Sequence, residues 1–285
     1  MRDVAIAGAD ALQHRTALSP TIPTDRPDRP DRRGMRFAMA AMAVSIKELP
    51  PLAAGHSRLY LCRHGETDSN ANGLLQGSGV DAILNDVGRS QASLLAETLA
   101  SIKMDVVASS TLKRAMETAD IVSAMQPGGV ERARHKGLEE MFYGRLEGLP
   151  IAETRAELRE LSEAWEAGQT DVAVGGDGES PEALLSRAHA ALWGTDESLL
   201  GLQHEAGRHL TVIAHSTFNK AVLAAATGEG LEQMFGIPQD NCCVNVLDVA
   251  VARGGGGNQQ PVTSVSVVAL NLAPSGEKKE ESQDR

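Results

Sequence analysis

Two short apolar runs, Leu59-Tyr60-Leu61-Cys62 and Leu210-Thr211-Val212-Ile213-Ala214, stop abruptly at a histidine: His64, after Arg63, in the first case and His215 in the second. Consecutive apolar positions over so short a run predict strands buried on both faces. Helical patterns separate them. From Asp86 to Ile102, the positions Val87, Leu94, Leu95, Leu99 and Ile102 fall on one helical face, with Asn85 as N-cap. Met104 to Ala108 predicts a second strand, and Ser110 or Thr111 caps a helix reaching about Met125. Ser180 followed by Pro181 starts a helix that runs to Trp193. Another helix, Thr217 to Ala226, follows the second histidine. Val244 to Val251 and Ser264 to Leu270 predict two further strands, joined by a loop at Gly254-Gly255-Gly256-Gly257-Asn258. Strands alternating with helices predict an α/β fold, a three-layer α/β/α sandwich on a mostly parallel central sheet. Ligands of such sheets bind beyond the carboxyl ends of the strands. That is where both histidines lie.

The globular pattern spans residues 57–272. Residues 1–56 carry Pro20, Pro23, Pro27, Pro30, Pro50 and Pro51 and a repeated Asp-Arg-Pro, a composition that predicts a disordered extension. Its arginines and the run Phe37-Ala38-Met39-Ala40-Ala41-Met42 resemble an organelle transit peptide, against which its aspartates count; an untargeted extension fits equally well. Residues 273–285 are polar and charged and are expected to be disordered too. A net charge of −11 argues against nucleic acid or an anionic membrane as partner, but not against a small anion held by a few local arginines. Three cysteines, two of them adjacent, do not make a disulfide framework, and no zinc spacing or membrane-length apolar run is present.

A histidine just past a buried strand is held rigidly, as a nucleophile must be, and Gly65 permits a sharp turn. Alone, Arg63-His64-Gly65 carries little weight. Read in isolation, Arg114 is an ion-pair partner for Glu117, His215 a core histidine and Glu140 a solvated acid. The combination changes that reading. Leu61-Cys62-Arg63-His64-Gly65-Glu66-Thr67-Asp68-Ser69-Asn70, Ser109-Ser110-Thr111-Leu112-Lys113-Arg114-Ala115, Leu138-Glu139-Glu140-Met141-Phe142-Tyr143-Gly144 and Val212-Ile213-Ala214-His215 occur in this order. Together they resemble the histidine phosphatase superfamily, with its phosphoglycerate-mutase-like fold.

The resemblance implies a role for each matched residue. His64 is the nucleophile that carries the phosphoryl group. Arg63, Arg114 and His215 bind its oxygens, a task that suits the planar fork of arginine. Asn70 adds a neutral donor, and Gln76, Gly77 and Ser216 line the substrate site. Glu140 is the general acid and then the base for water, with Glu139 as the competing candidate. No metal and no cofactor are implied, since arginines supply the charge neutralisation. Three departures bear on pocket shape and substrate: Ser216 where Gly is frequent, no Pro before Leu84, and Leu146 where Trp is common.

The same site serves phosphatases and mutases. Mutases of the glycolytic kind carry a basic insertion after the acid motif, whereas Leu149 to Glu179 offers only Arg155 and Arg159 among many acids. A phosphatase acting on a small phosphorylated metabolite, a sugar phosphate, is therefore expected. A phosphoglycerate-type mutase and a non-catalytic module that binds a partner's phosphorylated residue are the alternatives. Residues 218–228 and 239–248 are similar to plastid carboxyarabinitol-phosphate phosphatases of plants and algae, which implies a chloroplast location.

Overall fold

The computed structural model describes residues 45–194, 206–251 and 262–275. The first apolar run is the strand β1 (His56–Arg63), buried from Ser57 to Cys62. The other strands are β2 (Val106–Ser109), β3 (Glu131–Arg134), β4 (His209–Ala214), β5 (Val244–Val251) and β6 (Val262–Leu272). They form one sheet in the order β3-β2-β4-β1-β5-β6. β1, β4, β2 and β3 run parallel, while β5 and β6 are antiparallel additions. The mostly parallel sheet is as expected. β3 was not foreseen, because Glu-Arg-Ala-Arg has no apolar pattern; it is a half-exposed edge strand held by backbone pairing to β2.

The helices are α1 (Asp68–Ala71), α2 (Asp86–Leu99), α3 (Lys113–Ala124), α4 (Ile151–Glu166), α5 (Pro181–Trp193) and α6 (Ser216–Thr227). Alternation along β1 sends Tyr60 and Cys62 into a core shared with α2 and α3. Leu59 and Leu61 are equally buried and point to the opposite face, where α6 packs on β1, β6 and α5. α2 buries Ala92, Leu95, Ala96 and Leu99, at i, i+3, i+4 and i+7, and α3 repeats the pattern with Ala115, Thr118, Ala119 and Val122. The alanines at 92, 96, 115 and 119 lie on the faces where the two helices meet. Val87, assigned from sequence to the buried face, is instead 52% exposed, because Gly88 beside it makes the contact.

Asn85 caps α2 by accepting from Gly88 N (2.8 Å), and Ser180 caps α5 by accepting from Ala183 N (3.2 Å), both as expected. The cap of α3 differs. Its N-cap is Leu112, with no side-chain cap, and Asp81 Oδ1 accepts from Lys113 N instead (2.7 Å). Of the hydroxyls expected there, Ser110 Oγ accepts from Leu112 N (3.3 Å), short of the first helical turn, and from His215, while Thr111 pairs with Glu139.

Residues 45–56, grouped by composition with the N-terminal extension, belong to the fold. Ser45 and Glu48 form a capping box, Ile46 enters the core, and Pro50 O accepts from buried Arg58. Arg58 also makes a paired contact with Asp248 at 2.6 and 2.8 Å, tying β1 to β5 at the end of β1 remote from His64. At the other terminus, Ser275 N donates to Thr98 Oγ1 (3.1 Å). Residues 1–44, the glycine-rich loop at 254–258 and residues 276–285 lie outside the described residues.

Candidate active site

The three parallel strands β1, β4 and β2 end side by side. In the register, Arg63 lies opposite Ala214 and Ser109 opposite Ile213, and His64 N donates to Ala214 O (3.1 Å). This register alone brings His64, His215 and Ser110 onto one edge of the sheet. The two histidine rings are 5.1 Å apart, centroid to centroid.

His64 is 3% exposed, and its Nδ1 lies 2.6 Å from Gly65 O. A carbonyl can only accept, so Nδ1 carries the proton and Nε2 holds the free lone pair. Burial, then the charges of Arg114 and Arg63, push its pKa well below the ordinary histidine value. The ring is therefore neutral near pH 7, as a nucleophile must be. The turn that follows is fastened to α2 and α3. Gly65 N donates to Thr118 Oγ1 (3.1 Å), Glu66 N to Gln91 Oε1 (2.9 Å), and Asn85 Nδ2 to Glu66 Oε1 (2.9 Å).

Arg63 donates to Gln239 O (2.7 Å), while its buried Nε has no partner among the described residues. Buried guanidinium donors are rarely left unmatched, so this N–H is available to an anion. Arg114 is fully buried. It donates to His215 Nδ1 (3.2 Å), Val80 O (2.6 Å) and Gly77 O (3.1 Å), which leaves two of the five N–H groups of its fork for an oxyanion. It does not pair with Glu117, whose carboxylate takes Arg89 (2.8 Å) and Leu84 N (3.1 Å).

Both ring nitrogens of His215 are engaged. Nδ1 accepts from Arg114, so Nε2 donates to Ser110 Oγ (2.7 Å). In this arrangement His215 aims Arg114 rather than presenting a free donor of its own. Gly77 contributes its carbonyl to Arg114, and Gln76 accepts from Thr67 Oγ1 (2.8 Å). Asn70 Oδ1 accepts from Thr67 N (3.2 Å), and its amide nitrogen makes no contact among the described residues. Ser216 opens α6.

Glu140 is 5% exposed and sits at the N-terminus of α6. Oε1 accepts from Met141 N and Phe218 N (both 2.9 Å), and Oε2 from Thr217 N (3.0 Å). Oε2 keeps an open lone-pair position for a proton. Glu139 is only half-buried and accepts from Thr111 Oγ1. A cavity of about 640 Å³ opens beside Glu140, lined also by Lys136, Glu139, Phe142, Asp171 and Arg187, but by neither His64 nor Arg114. It therefore offers room on the Glu140 side of the site, not at His64. Among the described residues no group of three or more His, Cys, Asp and Glu side chains is placed to hold a metal ion.

The model of the histidine phosphatase superfamily (branch 1) matches residues 59–255, more than half of the chain. The chain belongs to that superfamily. It is 32% identical to glucosyl-3-phosphoglycerate phosphatase of Mycobacterium tuberculosis over 59% of this chain and 74% of that protein. It is 31% identical to 2-carboxy-D-arabinitol-1-phosphatase of Triticum aestivum over 80% of this chain but 43% of the wheat protein, so it spans less than half of that relative's length. A solved mycobacterial glucosyl-3-phosphoglycerate phosphatase superposes with a TM-score of 0.60 at 25% identity, covering 76% of this chain and 99% of the other.

Several residues of this superfamily site escaped the sequence reading. Asn245, in the middle of β5, donates to Leu61 O (2.9 Å) and to Gln239 Oε1 (3.0 Å). Gln239 in turn offers its carbonyl to Arg63. Asn241 donates to His64 O (3.1 Å). The available signal was a polar residue inside the apolar run Val244-Asn245-Val246, since a buried amide must find partners.

The buried histidines also predict an acid-sensitive fold. Both His64 and His215 have pKa values pushed well below the ordinary value, chiefly by burial. The unfolded chain takes up their protons below about pH 6.5, while the folded protein does not. Stability is thus fully present above that pH and is lost as pH falls, by up to ~1.4 kcal/mol per pH unit for each ring. Urea unfolding at pH 7.0 and 5.5 should show the loss, and a His64→Asn, His215→Asn double variant should show a flatter profile. Equal slopes in the two proteins would contradict the assignment.

Proposed function

We propose that this chain is a metal-independent phosphomonoesterase that transfers the phosphoryl group of a small phosphorylated metabolite, a sugar phosphate, to His64 and then to water. The observation that carries this reading is a buried His64 whose Nδ1 is tied to Gly65 O, which leaves Nε2 free, at the strand end where the buried Nε of Arg63 has no partner among the described residues.

In the first step the Nε2 lone pair of His64 attacks phosphorus. The ester P–O bond breaks, and the leaving oxygen takes a proton from Glu140. Arg63 and Arg114 neutralise the charge on the equatorial oxygens. In the second step water attacks the phosphohistidine, Glu140 takes the water's proton, the P–N bond breaks, and inorganic phosphate leaves with His64 restored. Hydrolysis is favoured over return of the phosphoryl group to a second hydroxyl. Residues 149–179 bring Asp171 and Glu179 to the cavity but no base; its two cations, Lys136 and Arg187, come from other segments, and Arg187 is paired with Glu179. Relatives that bear the names of phosphatases of carboxylated and sugar-linked phosphates support this substrate class. The arginine-bearing, small-residue segment before Ser57 supports a plastid destination.

The purified protein should release phosphate from p-nitrophenyl phosphate and from at least one member of a sugar-phosphate panel that includes 2-carboxyarabinitol 1-phosphate. EDTA should leave the rate unchanged. Absence of release from every compound would sink the phosphatase reading, and loss of activity in EDTA would sink its metal independence.

A further inference from the structure

Arg187, on α5, is absent from every motif that pointed to the site, yet it makes three bonds to the segment that carries Glu140 and two more to Glu179. Nε donates to Glu179 Oε1 (2.7 Å) and Nη2 to Glu179 Oε2 (2.8 Å), a two-point ion pair in which neither side chain is more than 27% exposed. Nη2 also donates to the backbone carbonyl of Glu140 (2.9 Å). Nη1 donates to the carbonyls of Glu139 (2.7 Å) and Gly137 (3.1 Å). Glu179 completes the frame on the other side of the acid: its N–H donates to Phe142 O (2.7 Å), and its Oε2 accepts from Phe142 N (3.4 Å). The guanidinium also lies 6.0 Å from the ring centre of Phe218, whose N–H holds the Glu140 carboxylate.

Surface ion pairs contribute little and do not need a full set of backbone partners. Here a long side chain is ordered by five bonds, three of them to carbonyls at or just before one glutamate. A fork of fixed geometry suits that task, and an ammonium would not replace it.

We propose that Arg187, clamped by Glu179, is a positioning residue that sets the place of the Glu140 carboxyl against the leaving oxygen, an inference that rests on the phosphatase reading above. The clamp then matters in proportion to how much the leaving group needs a proton. p-Nitrophenolate departs readily without one, whereas a sugar alkoxide does not.

The test compares kcat/KM, which reports the steps up to P–O cleavage, for p-nitrophenyl phosphate and for the best sugar phosphate. Wild type, Arg187→Met, Arg187→Lys and Glu179→Gln are measured side by side. Arg187→Met should lose ~10- to 100-fold on the sugar phosphate and less than ~3-fold on p-nitrophenyl phosphate, because general acid catalysis contributes ~10²- to 10⁴-fold and a misplaced acid forfeits part of it. Arg187→Lys should lose at least ~5-fold with the same selectivity, since it keeps the charge but not the fork. Glu179→Gln keeps the shape and reports the same bias if Arg187→Met does not fold. Equal losses on both substrates, or no loss on either, in variants with the wild-type circular dichroism spectrum would overturn the clamp. Wild-type protein inactive on both substrates would instead overturn the phosphatase reading, and the inference with it.

Discussion

His64→Ala is expected to reduce kcat on any accepted phosphomonoester by roughly 10⁴-fold or more, while leaving the fold in place. The size follows from the role, since a nucleophile has no substitute among its neighbours. His215 has both nitrogens committed to Arg114 and Ser110, and Glu140 is bound by three backbone N–H groups. Neither can take over attack without dismantling the pocket. The fold should survive because the backbone at 64 is held independently of the ring: His64 N bonds Ala214 O, and His64 O accepts from Cys242 N and Asn241. Steady-state kinetics with a thermal unfolding control make the comparison. A variant within ~10-fold of wild type would mean that phosphorus is not attacked by this residue.

Gly88→Ala is expected to destabilise the protein by ~1–3 kcal/mol, against the usual sign of that substitution. Inside a helix Ala is normally favoured over Gly by ~1 kcal/mol. Gly88 lies in α2, but its Cα faces the turn after His64. A Cβ there would overlap the carbonyl oxygen of Glu66 and lie 2.7 Å from Glu66 N. The contact is mutual, for a Cβ at Gly65 would overlap Gly88 O and lie 3.0 Å from the adjoining carbonyl carbon. Neither obstacle is a flexible side chain that can swing away, so the helix and the turn must part. Activity should fall with stability, because the displaced turn carries His64. Chemical denaturation of the variant decides the matter, and a protein more stable than wild type would show that this close approach does not exist.

Much of this was legible in the chain because two periodicities were clean. The buried strands at 59–62, 210–214 and 244–251, and the helix from Pro181 to Trp193, stand where apolar runs and capping residues put them. His64, His215, Arg63 and Arg114 meet because adjacent parallel strands end at one edge, which the order of the motifs anticipated but only the register establishes. The failures have physical causes. β3 is a polar edge strand, made by backbone pairing that leaves no side-chain pattern. The cap of α3 differs because Ser110 Oγ reaches only Leu112 N and His215, and Thr111 pairs with Glu139, so neither caps the first turn. Val87 was misassigned because a glycine with no side chain forms the true contact. The residues that aim the site, Arg187, Gln239 and Asn245, act across intervals of tens to hundreds of residues, and no local spacing announces such partners.

If phosphorus is carried on Nε2 of His64, rapid quenching should trap it there. Wild-type protein is mixed with substrate, stopped in strong base within the first turnovers, digested and mapped by mass spectrometry. A base-stable, acid-labile phosphoryl group is expected on the peptide containing His64 and is absent from His64→Ala. A phosphoryl group mapped to any other residue, or turnover with none on the chain at every quench time, would contradict it.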